Sequence, residues 1–106
     1  MKTLTLRTKR GDSSYWLAQV TYTDDGMFAA VSEFGNFAHA WRAFGDDFET
    51  FLLGLDENYL AGKLMSDLLY LGVPMRKAEK SADRFVEMVL PALKDEIRAQ
   101  REGGKE

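Results

Sequence analysis

The spacing of apolar residues changes once along this chain, near Gly45, and that change constrains the fold more than any other feature. Before it, apolar and polar residues alternate, as Leu4 and Leu6 do with their neighbours, which is typical of a half-buried strand. After it, apolar residues recur at helical intervals. Strands followed by helices, without alternation of the two, predict an α+β fold in which helices cover one face of an antiparallel sheet.

Four strands are expected before the change in spacing. Turn residues at positions 10–13, at Asp24-Asp25-Gly26 and at Gly35-Asn36 separate the strands, and glycine permits the positive φ that tight hairpins require. Such short connections predict a meander, in which consecutive strands are neighbours. The expected strands lie around Leu4 and Leu6, then at Tyr15–Tyr22, Met27–Glu33 and Phe37–Trp41.

Three helices are expected to follow and to pack on one face of the sheet. Asp46 and Asp56 each precede a helical pattern and are suited to accept hydrogen bonds at a helix N-terminus. Gly72 and Pro74 predict the end of the second helix. The third pattern begins near Met75 or Ser81 and continues in phase through Pro91, which predicts either one kinked helix or two abutting helices.

The chain has 106 residues, which suits one core, and we predict a single domain over residues 1–102 with a flexible tail at 103–106. It contains no cysteine, which excludes disulfides and thiolate chemistry. The N-terminal residues lack the apolar stretch of a signal peptide, and no segment is apolar for the length of a membrane span. We therefore expect a cytoplasmic protein.

Acidic residues are concentrated in the middle of the chain. The formal net charge is only −3, but residues 24–57 hold eight acids and a single base, Arg42. If the turns and helix starts that carry these acids lie on one side, they form a patch that attracts basic surfaces and repels nucleic acid. The candidate partner-binding residues are Asp24, Asp25, Glu33, Asp46, Asp47, Glu49, Asp56 and Glu57.

No constellation in the sequence indicates catalysis, so we predict a protein that is not an enzyme and needs no cofactor. The single histidine, His39, has no evident nucleophile or metal-ligand set around it, and we interpret it as an exposed or hydrogen-bonded strand residue. The paired carboxylates fall at turns and helix starts, where local structure explains them without a metal. A phosphate-binding glycine loop is also absent from the sequence.

Basic residues gather at the start of the third helix and carry the alternative hypothesis of a nucleic-acid-binding regulator. Glu79 and Asp83 interleave with these bases, and a sequence pI of about 5.2 is unusual for a nucleic-acid-binding domain. A solvated helix face is therefore the favoured interpretation. The bases are Arg76, Lys77, Lys80 and Arg84.

One segment resembles a group of small proteins encoded by bacteriophages and prophages. Its parts are Ser32-Glu33-Phe34-Gly35-Asn36-Phe37, then Trp41, Gly45-Asp46, Phe51-Leu52 and Tyr59-Leu60-Ala61-Gly62-Lys63-Leu64. The segment is also explained structurally, by a Gly35-Asn36 turn with Phe34 and Phe37 paired across it; a binding site built from Asn36, His39 and Trp41 is the other interpretation.

The resemblance implies a setting in which small acidic proteins block host defences, anti-CRISPR proteins among them. The leading hypothesis is accordingly a phage-derived inhibitor that binds a host nucleic-acid-handling complex, such as a CRISPR effector, through an acidic surface. It makes no direct contact with nucleic acid or membrane. A virion assembly factor is a further possibility. The aromatic surface of the strands is larger than one small sheet face needs, and it comes from Tyr22, Phe28, Phe34 and Phe37. The oligomeric state is therefore open between a monomer and a homodimer formed through the sheet.

Overall fold

The computed structural model describes residues 1–103. Four strands come first and three helices follow, so the predicted α+β class is confirmed. The last helix includes Gly103, the first residue of the predicted tail, and the rest of that tail, 104–106, lies outside the described residues. The elements are β1 Lys2–Arg10, β2 Ser13–Tyr22, β3 Met27–Ser32, β4 Gly35–Ala40, α1 Phe48–Leu53, α2 Glu57–Tyr70 and α3 Met75–Gly103.

The sheet is the predicted antiparallel meander, with strand order β1-β2-β3-β4. Directly paired residues share a face, so the register identifies the two faces of the sheet. One row runs Leu4, Val20, Ala30, Phe37, and all four side chains are buried. This face carries the core, and the opposite face carries many small residues such as Thr3, Thr21, Ala29 and Ala38.

Helices α2 and α3 pack against each other and cover the core face, α2 beneath β4 and α3 beneath β1 and β2. The ring of Phe85 on α3 lies 4.5 Å from that of Phe37 on β4, which joins the two layers at the centre of the molecule. The predicted apolar stripe of the third helix is confirmed, because each of its members is buried: Ala82, Phe85, Val86, Val89, Leu90, Leu93 and Ile97.

The aromatic residues that suggested a dimer through the sheet belong to the core. Tyr22, Phe28 and Phe37 are each at most 5% exposed, and Phe34 is partly buried. Tyr22, Phe28 and Phe37 pack under the helices, because the sheet face that carries them is the covered one, and Phe34 packs against the same core from the loop before β4. They therefore give no reason to expect a dimer through the sheet.

The turn between β3 and β4 differs from the expected one by two residues. Ser32 pairs with Gly35, so Glu33 and Phe34 make the turn, while Gly35 and Asn36 already belong to β4. The Ser32 hydroxyl stabilises this turn, since it accepts from the Phe34 N–H (3.1 Å) and donates to the Gly35 carbonyl (2.6 Å). The predicted Phe34–Phe37 pair across the turn is wrong.

Helix α1 begins one residue later than predicted. Its N-cap is Asp47 rather than Asp46, since the Asp47 carboxylate accepts from the N–H groups of Glu49 and Thr50, both at 3.3 Å. Either carboxylate could cap a helix, and the apolar spacing alone does not decide between adjacent acids. The predicted cap of α2 is confirmed, because Asp56 accepts from Tyr59 N–H at 3.0 Å.

Helix α3 continues through Pro91 without a break, so the third pattern is one helix rather than two. Proline has no N–H, so it leaves the carbonyl of Glu87, four residues earlier, without its helical donor. Both Pro91 and Glu87 are on the exposed side of the helix, where water can hydrogen-bond to that carbonyl. The helix tolerates the proline on this side because the buried stripe lies on the other.

The hairpin between β2 and β3 depends on Gly26, which has a φ of +97°. A Cβ built there would lie 2.1 Å from the carbonyl oxygen of Trp41, whose own N–H donates to the Gly26 carbonyl at 2.9 Å. We expect Gly26→Ala to lower the free energy of unfolding by about 3 kcal/mol, because both the backbone conformation and the contact oppose a side chain. Urea unfolding measures the loss.

Gly11→Ala is the matched control for this prediction. Gly11 also has a positive φ, +64°, but nothing lies within 4 Å of the added Cβ. Its substitution should cost only about 1 kcal/mol. Equal losses for the two variants would show that the close approach of the Trp41 carbonyl oxygen adds nothing to the cost of a side chain at position 26.

Candidate functional site

Acidic side chains gather at one end of the sheet, where the turn between β2 and β3 meets the start of α1. Asp24, Asp47 and Glu49 line a shallow cleft there, together with Lys2 and Tyr22. The buried Tyr22 hydroxyl donates to Glu49 Oε2 at 2.5 Å, and Lys2 Nζ reaches the same oxygen at 3.0 Å. We call this region the acidic end.

The hydrogen bond between Tyr22 and Glu49 contributes to opposite shifts in the pKa of the two groups. Burial, the bond to Glu49 and the negative charges around it together raise the pKa of Tyr22 well above its ordinary value of 10.0. Burial also acts to raise the pKa of Glu49, but the hydrogen bonds from Tyr22 and Lys2 outweigh it and lower that pKa. The acidic end thus presents a neutral phenol and a charged carboxylate.

Asp47 links the acidic end to two helices. Besides capping α1, its carboxylate accepts from the Thr50 hydroxyl at 2.6 Å and lies 3.5 Å from a guanidinium nitrogen of Arg101 on α3. The Thr50 hydrogen bond is the largest cause of the lowered pKa of Asp47, followed among the favourable contributions by the backbone donors and Arg101. Asp47 therefore has a structural role in addition to its charge.

The eight acids predicted to bind a partner do not form one continuous patch. Asp25 and Asp46 adjoin the acidic end in the chain and are exposed. Glu33 is in the turn between β3 and β4, at the opposite end of the sheet, because successive turns of a meander alternate between its ends.

The remaining predicted acids, Asp56 and Glu57, belong to the start of α2. Glu57 lines a groove between α2 and α3 with Asp83 and Glu87, two acids that the sequence analysis did not select. Helical geometry carries a signal for this second group, since Asp83 and Glu87 are four residues apart and share a face of α3.

His39 is hydrogen-bonded, as one of the two sequence interpretations had it. Its Nδ1 lies 2.7 Å from Asp67 Oδ2 on α2, and its ring lies 4.5 Å from that of Trp41. Trp41 Nε1 in turn donates to the Tyr59 hydroxyl at 3.2 Å, so both side chains fasten the end of the sheet to α2. Asp67 was not foreseen as a partner, because the pairing depends on how α2 crosses β4.

A site made of Asn36, His39 and Trp41 is not assembled. Asn36 pairs with Val31 on the outer face of the sheet, whereas His39 pairs with the buried Phe28 on the face that the helices cover. Among residues 1–103, no three His, Asp or Glu side chains are grouped so that they could hold a metal ion. In the same range, no helix is long and apolar enough to cross a membrane.

The chain thus forms a small two-layer α+β domain with an acidic end. A family model described as a phage family, Phage_phiTE_072, matches residues 1–69, from the first strand to nearly the end of α2. The chain belongs to this phage protein family. No curated protein and no solved structure matches the chain.

Replacing Tyr22 with phenylalanine tests the acidic end. We expect Tyr22→Phe to cost about 2 kcal/mol at neutral pH, because a hydrogen bond to a charged carboxylate is lost from a buried position. Chemical denaturation at a series of pH values measures the cost. Tyr70→Phe is the control, since Tyr70 is 92% exposed and its replacement should leave stability unchanged.

The difference in stability between Tyr22→Phe and the unaltered protein should depend on pH. Because the pKa of Tyr22 is raised in the folded state, the unfolded chain releases its proton first as the pH rises above 10.0. The stabilisation is therefore complete below pH 10.0 and decreases above it. A stability difference between Tyr22→Phe and the unaltered protein that stays constant through this range would contradict the assignment.

His39→Ala should lower the free energy of unfolding by about 1 kcal/mol, because the bond to Asp67 is lost at a partly exposed position. We expect partner binding to be retained, since His39 fastens the sheet to α2 and does not line the cleft of the acidic end. Calorimetry measures the first effect and a binding assay the second. Complete loss of binding with an unchanged melting temperature would refute this interpretation.

Proposed function

We propose that this phage protein acts by binding rather than by catalysis, and that it occupies a basic surface on a host complex that handles nucleic acid. A CRISPR effector is the leading candidate for that complex. The inhibitor would place carboxylates where the complex holds phosphates, and so prevent nucleic acid from entering.

The observation that carries the proposal is the fixed geometry of the acidic end. Asp24, Asp25 and Asp46 are exposed there beside Asp47 and Glu49, while hydrogen bonds and caps hold the last two carboxylates in place. A carboxylate that is already ordered loses little conformational freedom on binding, which favours affinity.

Two bases reduce the charge of the acidic end without cancelling it. Lys2 is paired with Glu49 and Arg101 with Asp47, which leaves Asp24 and Asp46 without an ion pair among the side chains that the structure describes. These two exposed carboxylates are the residues best placed to meet a basic partner. They are also the best residues to change, since neither caps a helix.

The test is capture of purified CRISPR effector complexes by the immobilised protein. We expect capture to weaken by on the order of tenfold or more when Asp24 and Asp46 are both replaced with lysine, because like charges then face each other. Capture by the unaltered protein should also weaken as ionic strength rises.

The matched control is the double replacement of Asp12 and Glu79 with lysine. It changes the net charge by the same amount at exposed positions, Asp12 in the turn between β1 and β2 and Glu79 on α3. The control should bind as the unaltered protein does. Failure to capture any effector component, or equal capture by the two double variants, would refute the proposed mechanism.

The alternative function, a regulator that binds duplex DNA through the start of α3, has a separate test. Arg76, Lys77 and Lys80 are exposed there, and Arg84 is paired with Glu87 at 3.6 Å. An inhibitor of the proposed kind should not shift random duplex DNA in a gel at low salt. A shift that depends on Arg76 would favour the regulator instead.

A further inference from the structure

A cleft at the other end of the sheet has chemistry unlike that of the acidic end. Three aromatic side chains line it, Tyr15 and Trp16 from β2 and Phe34 from the turn between β3 and β4, together with Arg84 and Met88 from α3. We call it the aromatic cleft. Its volume is about 160 Å³.

The size and walls of the aromatic cleft suit one planar ring. An apolar cavity of roughly 150 Å³ is known to hold a single benzene ring. Tyr15 is 49% exposed, and the Arg84 guanidinium lies 5.6 Å from the centre of the Phe34 ring. Aromatic rings and a guanidinium plane are the surfaces on which nucleic-acid bases stack.

Polar groups at the rim match the edge of a base. Glu33 and Thr8 also line the aromatic cleft. A carboxylate accepts hydrogen bonds from the amino groups of bases, and a hydroxyl can donate or accept. A purely apolar ring would form no hydrogen bonds with these groups.

Helix α3 carries basic residues toward the aromatic cleft on one side of its surface. Lys77, Lys80 and Arg84 fall within about 60° of each other around the helix and span about 10 Å along it. Of the interleaved acids, Glu79 is displaced by about 100° or more from each of these bases, whereas Asp83 lies about 60° from Lys80 and lines the groove with α2. Lys80 and Arg84, four residues apart, share a face of α3.

We propose that the aromatic cleft binds a nucleotide unit, with its base among Tyr15, Trp16 and Phe34 and its phosphate on Lys80 and Arg84. A base paired within a duplex is stacked on its neighbours and cannot enter a cleft of this size. The unit is therefore either a free nucleotide or one residue of a single strand. This site is distinct from the acidic end.

The experiment measures fluorescence anisotropy of labelled single-stranded DNA and RNA 12-mers of mixed sequence, at low salt, with the full chain. We expect binding that weakens about tenfold in Tyr15→Ser, because a stacked base is lost. We expect Arg84→Ala to reduce the slope of log affinity against log salt by about 0.7, because one phosphate contact is lost. Unlabelled AMP and CMP serve as competitors, to determine whether the aromatic cleft binds a free nucleotide or one residue of a single strand.

Two residues of this chain provide matched controls. Arg98 is an exposed arginine of α3 with an acid three residues away, as Arg84 has, and Tyr70 is an exposed tyrosine on α2. Arg98→Ala and Tyr70→Ser should bind as the unaltered protein does. Competition by AMP or CMP would assign the cleft to free nucleotides, and binding of 12-mers without such competition would assign it to single strands.

Several outcomes would overturn the proposal. Absence of binding by both the 12-mers and the mononucleotides at low salt would do so, as would equal binding in the Tyr15 and Tyr70 variants. Loss of effector capture in Tyr15→Ser, with no binding of any nucleotide, would instead assign the aromatic cleft to a protein partner. Circular dichroism of each variant separates a lost contact from a lost fold.

Discussion

The fold depends on the burial of one face of α3 against the inner face of the sheet. A four-stranded meander with a short helix beside it exposes too much apolar surface to persist in water. Helix α3 supplies eight buried side chains to that surface, with Phe85 against Phe37 at the centre. The positions of the acidic end and of the aromatic cleft both follow from this packing, since residues of α3 contact each of them: Arg101 at the first and Arg84 at the second.

Periodicity was enough to predict the class of fold, the order of the elements and most of the core. The stripe of α3 could be identified because its apolar residues keep a helical interval over four turns. Local choices between neighbouring residues could not be predicted in this way. Asp46 and Asp47 are chemically equivalent as caps, and the turn at Glu33-Phe34 is set by the pairing of Ser32 with Gly35.

The strands also contain an irregularity that alternation does not reveal. The register between β1 and β2 shifts after Leu6, which pairs with Ala18, while Arg7 pairs with Trp16. Leu17 is thus the extra residue of a β-bulge, and it is buried although strict alternation would place it on the face opposite the buried Ala18. Trp16, which strict alternation would place on the same face as Ala18, is only partly buried and lines the aromatic cleft.

The candidate sites were predicted less well than the fold, for a physical reason. Residue type and position indicated that acids would be exposed, but which of them meet depends on the contacts between elements. Asp24 and Glu49 come together only because both surround Tyr22, and Glu33 is separated from them by the length of the sheet.

The contact between α3 and β1 joins the two ends of the described chain. These elements pack together, yet they are separated by the other three strands and two helices. The meander can form from local pairings as soon as its strands are available, whereas the core stays open on one side until α3 arrives. The part of the apolar face beneath β1 and β2 therefore stays exposed to water until α3, through Ile97, can pack against it.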